Sequence, residues 1–250
     1  MTSPVAIIGG TGLTQLPDLA ITHKEMVSTP YGPASSPLNF GNIDSREIIF
    51  LARHGYLHTI PPHKVNYQAN VWALKQAGVE RIYAVAAVGG ITPGMHPGRI
   101  VIPHQIIDYT YGRAQTFFED GLSEVTHIDF TNPYTESQRQ LLIQTAQQLK
   151  YDPATEAVYA ATQGPRLETT AEIARLERDG CDIVGMTGMP EAALARELDM
   201  EYATTALVVN WAAGKDGDKP ITLAAMDKYL KAGMKQVRCL LAEAISNQAA

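Results

Sequence analysis

Apolar runs recur at residues 5–8, 47–52, 82–88, 100–103, 157–161, 183–186 and 202–210, and this recurrence limits the fold more than any other feature. Several runs are continuous rather than alternating, as in strands covered on both faces. Helical patterns lie between some of them, at 67–77, 136–150, 170–179, 191–198 and 223–248. Strand and helix alternating in this way predict an α/β layered fold. Gly78 and Gly180 stand where helix C-caps belong, and the run from Thr170 through Glu172 to Ile173 reads as a helix start. A chain of 250 residues, 45% of them hydrophobic, suffices for one large domain, and no linker divides it, so a single domain over 1–250 is expected.

The net charge of −6, from 20 basic and 26 acidic residues, argues against a surface built to cover nucleic-acid phosphates or an anionic membrane. It leaves room for a locally positive site that takes a small anion. The two cysteines, Cys181 and Cys239, lie far apart without a CxxC spacing, so neither a disulfide framework nor a zinc ribbon is suggested. The N-terminus has no basic segment followed by a long apolar one, and no run approaches the roughly 18 apolar residues of a membrane span. A soluble, cytoplasmic protein is expected.

The first apolar run ends in Gly9, Gly10, Thr11 and Gly12, a turn whose amides can approach an anion or simply close tightly. A dinucleotide fingerprint fits less well, because Gln15 occupies the third glycine position. The second runs into Arg53 and His54, a permanent cation and an imidazole donor; an arginine fork suits phosphate, although a surface arginine is the plainer reading. His54, His58 and His63 raise a metal site, but Pro61 and Pro62 break any helix aligning them and no acid or thiol joins them, so no metal is expected. Gly89 and Gly90 are expected to leave amides free at the end of the third strand. Ligands gather outside strand carboxyl ends in open α/β sheets, so these exits are expected to converge. Glu168 precedes a helix and either compensates its dipole or faces a ligand N–H. Asn210 closes a buried apolar run, where its amide needs partners from a ligand or from the backbone.

Taken in order, IIGGTGL (7–13), TPYGPAS (29–35), LARHG (51–55), VNYQANVWALKQAG (65–78), AAVGGI (86–91), TQGPRLET (162–169) and IVGMTGMPEAALARE (183–197) resemble the trimeric purine nucleoside phosphorylase and methylthioadenosine phosphorylase family. The resemblance implies a three-layer αβα phosphorylase fold around a mixed, largely parallel twisted sheet. It also implies a homotrimer in which His127 reaches a neighbouring subunit's site. The implied phosphate pocket comprises Thr11, Arg53, His54, the Ala87 amide and Thr187, with Met186 under the ribose and Leu167 against the purine. Ala86 departs from the Thr or Asn common in relatives, removing one side-chain contact. Inorganic phosphate is then a co-substrate, no cofactor is required, and Asn210 donates to purine N7 as negative charge gathers on the leaving base.

Relatives acting on 6-aminopurines usually carry acids at the positions of Asn210 and Ala212 and a small hydroxyl residue at Glu168; this chain differs at all three. Glu168 accepting from N1–H and Asn210 donating to N7 or O6 suit a 6-oxopurine, whereas adenine would set N1 against the carboxylate. No histidine follows His127 to bind a 5′-hydroxyl; Ile221, Leu223 and Met226 stand in that segment, either wrapping an apolar 5′-methylthio group or serving as helical core. The expected reaction is therefore phosphorolysis of S-methyl-5′-thioinosine, with methylthioadenosine or a general 6-oxopurine nucleoside as alternative substrates. A nucleosidase using water and a non-catalytic nucleotide-binding module are the more distant readings.

Overall fold

Alternate residues of the central strands enter different cores, and this divides the molecule into layers. In a computed structural model describing residues 3–13, 19–44, 46–119, 124–217 and 219–247, the first strand, β1 (Val5–Gly9), sends Val5 and Ile7 to one core and Ala6 and Ile8 to the other. β4 (Arg46–Ala52) and β5 (Arg81–Gly90) divide likewise: Phe50, Tyr83 and Val85 go one way, and Leu51, Ile82 and Ala84 the other. The first core is covered by α2 (Glu136–Gln148) and α5 (Leu223–Ser246), through Leu142, Val237 and Leu241. The second is covered by α1 (Tyr67–Gln76) and α4 (Glu191–Glu197), through Val71, Leu74 and Leu194. These are the three layers of an αβα fold. Burial on both faces explains the continuous apolar runs.

The remaining strands are β2 (Ala20–Glu25), β3 (Leu38–Ile43), β6 (Ile100–Val101), β7 (Gln105–Asp108), β8 (Val158–Ala161), β9 (Ile183–Gly185) and β10 (Glu201–Trp211), with α3 (Thr170–Arg178) between β8 and β9. The sheet order is β2-β3-β4-β1-β5-β9-β8-β7, and β10 pairs with β5 and β6. β4, β1, β5 and β10 run parallel, as do β9, β8 and β7, but β9 meets the far end of β5 antiparallel, with Gly90 opposite Ile183 and Gly89 opposite Val184. Two parallel groups of strands thus point their carboxyl ends toward each other beside the last residues of β5. The crevice between them is where an open α/β sheet binds ligands.

Gly89 and Gly90 do not free amides past a strand end, as their sequence position suggests; they extend β5 and lie opposite Asn210 and Trp211 of β10. Glycine is needed at Gly90, where a Cβ would lie 1.8 Å from the Met95 carbonyl oxygen, and a Cβ on Gly89 would crowd Val184 Cγ1 at 3.2 Å. β10 carries a bulge, because Val208 faces Val88 and Asn210 faces Gly89, so Val209 is an extra residue. Such an insertion re-aims the side chain that follows it. The helix predicted at 170–179 begins with a full capping box, Thr169 accepting from the Glu172 amide and Glu172 bonding back to the Thr169 amide. Gly78 and Gly180 have φ of 81° and 89°, as C-cap glycines do.

β2, β3 and β7 lie outside the apolar runs, and each carries several polar residues. Gln15, residues 120–123 and the helix end at Gln248 lie outside the described residues. No helix of the described residues is long and apolar enough to cross a membrane.

Gly185 closes β9 against the buried Tyr159, and a Cβ there would lie 2.5 Å from the Tyr159 hydroxyl. Gly185→Ala is expected to destabilise the fold by about 1–3 kcal/mol through overpacking, read from the urea unfolding midpoint.

Candidate active site at the strand carboxyl ends

A cavity of about 330 Å³ opens where the two strand groups converge. β1 contributes Gly10 and Thr11, β4 leads into Arg53 and His54, and β5 supplies Ala86 and Ala87. From β9 come Met186 and Thr187, from β10 Asn210 and Ala212, and Leu167 and Glu168 complete the opposite wall. Most of the predicted residues therefore gather at one place, from six segments of the chain. Ile221 and Met226 line it as well.

Leu223 does not line it. Residues 222–225 are all exposed, because the first turn of α5 stands clear of the core, and Leu223 is 84% exposed. His127 is exposed too and lies outside the cavity lining of its own chain.

Arg53 is only 1% exposed, and a buried guanidinium requires a counter-charge. Glu191, fully buried in the first turn of α4, supplies it: Nε donates to Oε2 at 2.6 Å and Nη2 to Oε1 at 2.7 Å. Nη1 donates to the Val85 carbonyl at 2.9 Å, and Tyr202 donates to Glu191 Oε1 at 2.8 Å. Burial works against the charge, but Glu191 holds the Arg53 pKa above its ordinary value. The fork that the sequence suggested for phosphate thus grips Glu191 instead. Of the five guanidinium N–H groups, those three bonds leave one on each terminal nitrogen for a ligand. Gly10 makes room for this arrangement, since a Cβ there would lie 2.8 Å from Arg53 Nη1 and 2.6 Å from the Val85 carbonyl oxygen.

His54 Nδ1 lies 2.8 Å from the Ile60 carbonyl, which can only accept, so Nδ1 carries the proton. Burial, with Arg53 adjacent, lowers its pKa to about 4. At neutral pH its Nε2 is therefore an acceptor, not the donor expected from sequence. It suits a protonated phosphate oxygen. His58, considered from sequence only as a metal ligand, also lines the cavity: Nε2 lies 3.4 Å from Thr11 Oγ1, and burial lowers its pKa as well. Among the described residues no three metal-ligating side chains cluster.

Among the other lining residues, Asn210 donates through Nδ2 to the Trp211 carbonyl at 2.7 Å, leaving its second amide hydrogen for a ligand. Glu168 Oε1 accepts from the Thr162 hydroxyl at 2.7 Å. Behind the wall, Arg113 donates to the carbonyls of Thr162, Gln163, Met186 and Met189, tying the loop after β8 to the segment after β9. Sequence reading missed both Arg113 and Glu191. A helix-start acid such as Glu191 normally reads as dipole compensation; the signal was the need of any buried arginine for a partner.

The phosphorylase superfamily model matches residues 4–246. The chain belongs to that superfamily. It is 58% identical over 241 residues to a probable S-methyl-5′-thioinosine phosphorylase of Pseudomonas syringae pv. tomato, covering 96% of this chain and 98% of that one. It is 45% identical over 243 residues to the 6-oxopurine nucleoside phosphorylase of Pyrococcus furiosus, covering 95% and 91%. Among solved structures, methylthioadenosine phosphorylase from Schistosoma mansoni in complex with adenine superposes with a TM-score of 0.93 at 32% identity, covering 98% of this chain and 91% of that one.

Because the His54 pKa falls from 6.5 to about 4 on folding, the unfolded chain binds the proton first as pH drops. Stability is full above pH 6.5 and declines toward pH 4, by about 2 kcal/mol between pH 6.5 and 5 from this residue. Urea unfolding at both pH values should show that loss, and His54→Gln should remove it.

Proposed function

We propose that this phosphorylase cleaves S-methyl-5′-thioinosine with inorganic phosphate, giving hypoxanthine and 5-methylthioribose 1-phosphate. The observation that carries the reading is that Arg53, His54, Thr11 and Thr187 line the same cavity as Glu168 and Asn210. Phosphate beside the first four residues faces the anomeric carbon of a nucleoside whose base lies against Glu168 and Asn210. Its oxygen attacks that carbon as the bond to the purine breaks, so the sugar phosphate forms with inversion.

The two remaining Arg53 N–H groups, the Thr11 and Thr187 hydroxyls and the Ala87 amide bind phosphate oxygens, and His54 Nε2 accepts a phosphate proton. Met186 packs under the sugar. As the bond stretches, positive charge on the ribose is stabilised by phosphate, and negative charge on the purine by the free Asn210 amide hydrogen at N7. Glu168 accepts N1–H, which a 6-oxopurine carries and adenine lacks. Ala212 adds no second acid, Leu167 covers the base, and Ile221 with Met226 gives the 5′-methylthio group apolar walls. The names of the relatives in Pseudomonas syringae pv. tomato and Pyrococcus furiosus support a 6-oxopurine and the methylthio sugar.

The reaction is redox-neutral and its nucleophile is the co-substrate, so it calls for no cofactor. We further assign a homotrimer in which His127 completes a neighbour's site. His127 is exposed, as are Val125, Tyr111 and Leu223, which gives such an assembly apolar surface to cover.

Steady-state rates on methylthioinosine, methylthioadenosine, inosine and guanosine should be highest for methylthioinosine and vanish without phosphate. A higher rate on methylthioadenosine would refute the base assignment, and turnover unaffected by phosphate would make the enzyme a nucleosidase. Asn210→Ala is expected to lower kcat by about a hundredfold, and Glu168→Ser with Asn210→Asp to shift preference toward the 6-aminopurine. Sedimentation analysis reads the trimer.

A further inference from the structure

Thr162 directly follows β8 and is fixed at three points. Its amide donates to the Gly185 carbonyl at 2.8 Å, its own carbonyl accepts from Arg113 at 3.2 Å, and its hydroxyl donates to Glu168 Oε1 at 2.7 Å. The Gly185 carbonyl also lies 3.2 Å from that hydroxyl, but one hydroxyl has one proton, and the shorter bond, to a carboxylate, is the stronger.

Glu168 borders two spaces. One is the site cavity; the other, about 350 Å³, lies on its far side and is lined by Thr162, Gln163, Arg166 and Arg175. Glu172 lines the second space too and pairs with Arg166 at 2.7 and 2.8 Å, while Arg175 lies 3.7 Å from Asp179; the arginines still offer N–H groups beyond these pairings, so a glutamate at this partition has two directions in which to turn. Oε2 has no protein donor among the described residues, and the Thr162 hydroxyl is what restrains the group.

We propose that Thr162 is the positioning residue for base selectivity: it occupies one oxygen of Glu168 and holds the other as an acceptor for the N1–H of a 6-oxopurine. The inference rests on the base assignment made above. A donor held by the backbone at both its amide and carbonyl fixes the acceptor it bonds, which is how a surrounding shell keeps a recognition group in register. Without it the carboxylate is free to rotate toward Arg166 and Arg175, and the 6-oxopurine loses its partner while adenine, with no N1–H, loses nothing.

The test compares kcat/KM for methylthioinosine and methylthioadenosine in the wild type, Thr162→Val and Thr162→Ser. Thr162→Val should lower the methylthioinosine value about tenfold, leave methylthioadenosine and the phosphate KM nearly unchanged, and so reduce the selectivity ratio; Thr162→Ser should restore it. Thr162→Ala replaces the valine variant if that one does not fold. A wild type that prefers methylthioadenosine overturns the base assignment and this inference together. A wild type that prefers methylthioinosine, with a ratio unchanged in Thr162→Val or with both substrates falling equally, overturns the inference alone.

Discussion

The buried pair of Arg53 and Glu191 sets the terms for everything around it. Neither charge survives in the interior without the other, and the geometry that joins them brings the end of β4 to the start of α4, elements on opposite sides of about 140 residues of sequence. The pair also fixes what surrounds it. Gly10 must lack a side chain, the Val85 carbonyl must turn toward Nη1, and Tyr202 must present its hydroxyl to Oε1.

Its charge matters as much as its shape. Arg53 and Glu191 together sum to zero, and His54 is neutral near pH 7 because burial keeps its pKa near 4. In the proposed reaction a phosphate among them is therefore held by directed hydrogen bonds more than by opposite charge. Its negative charge is not cancelled by the protein, and in the proposed reaction it remains available to the cationic sugar.

Much of this was legible in the sequence where a residue's physical role is local. The apolar runs marked strands because two-sided burial leaves no polar alternation, and Gly78 and Gly180 marked helix ends because a positive φ favours glycine. β2 was not legible: AITHKE is exposed along its whole length and owes its strand form to pairing with β3. Thr11, Arg53, His54, Asn210 and Glu168 were found as candidates because they sit at strand or helix boundaries, and the fold brings those boundaries together. Glu191 and Arg113 were not, since their partners are remote in sequence: Glu191 is held by Arg53, 138 residues earlier, and Arg113 bonds carbonyls at Thr162, Gln163, Met186 and Met189, 49 to 76 residues later. Hydrogen-bond direction was equally invisible. Nothing in the sequence says that Ile60 would take the Nδ1 proton of His54 and turn the ring from donor to acceptor.

The cavity lining is built from unlike material. Asn210 sits in β10 opposite Gly89 of β5, and Thr11, Arg53 and Thr187 stand just past the ends of paired strands. The apolar part leans on Ile221 and Met226, which flank a helical turn with all of residues 222–225 in solvent. A turn with so little packed against it opens at low free energy compared with a core strand. In the proposed reaction, the sugar's 5′ substituent consequently meets a compliant wall, one that can yield to bulk and can drift in evolution while the strand-borne part of the cavity stays in place.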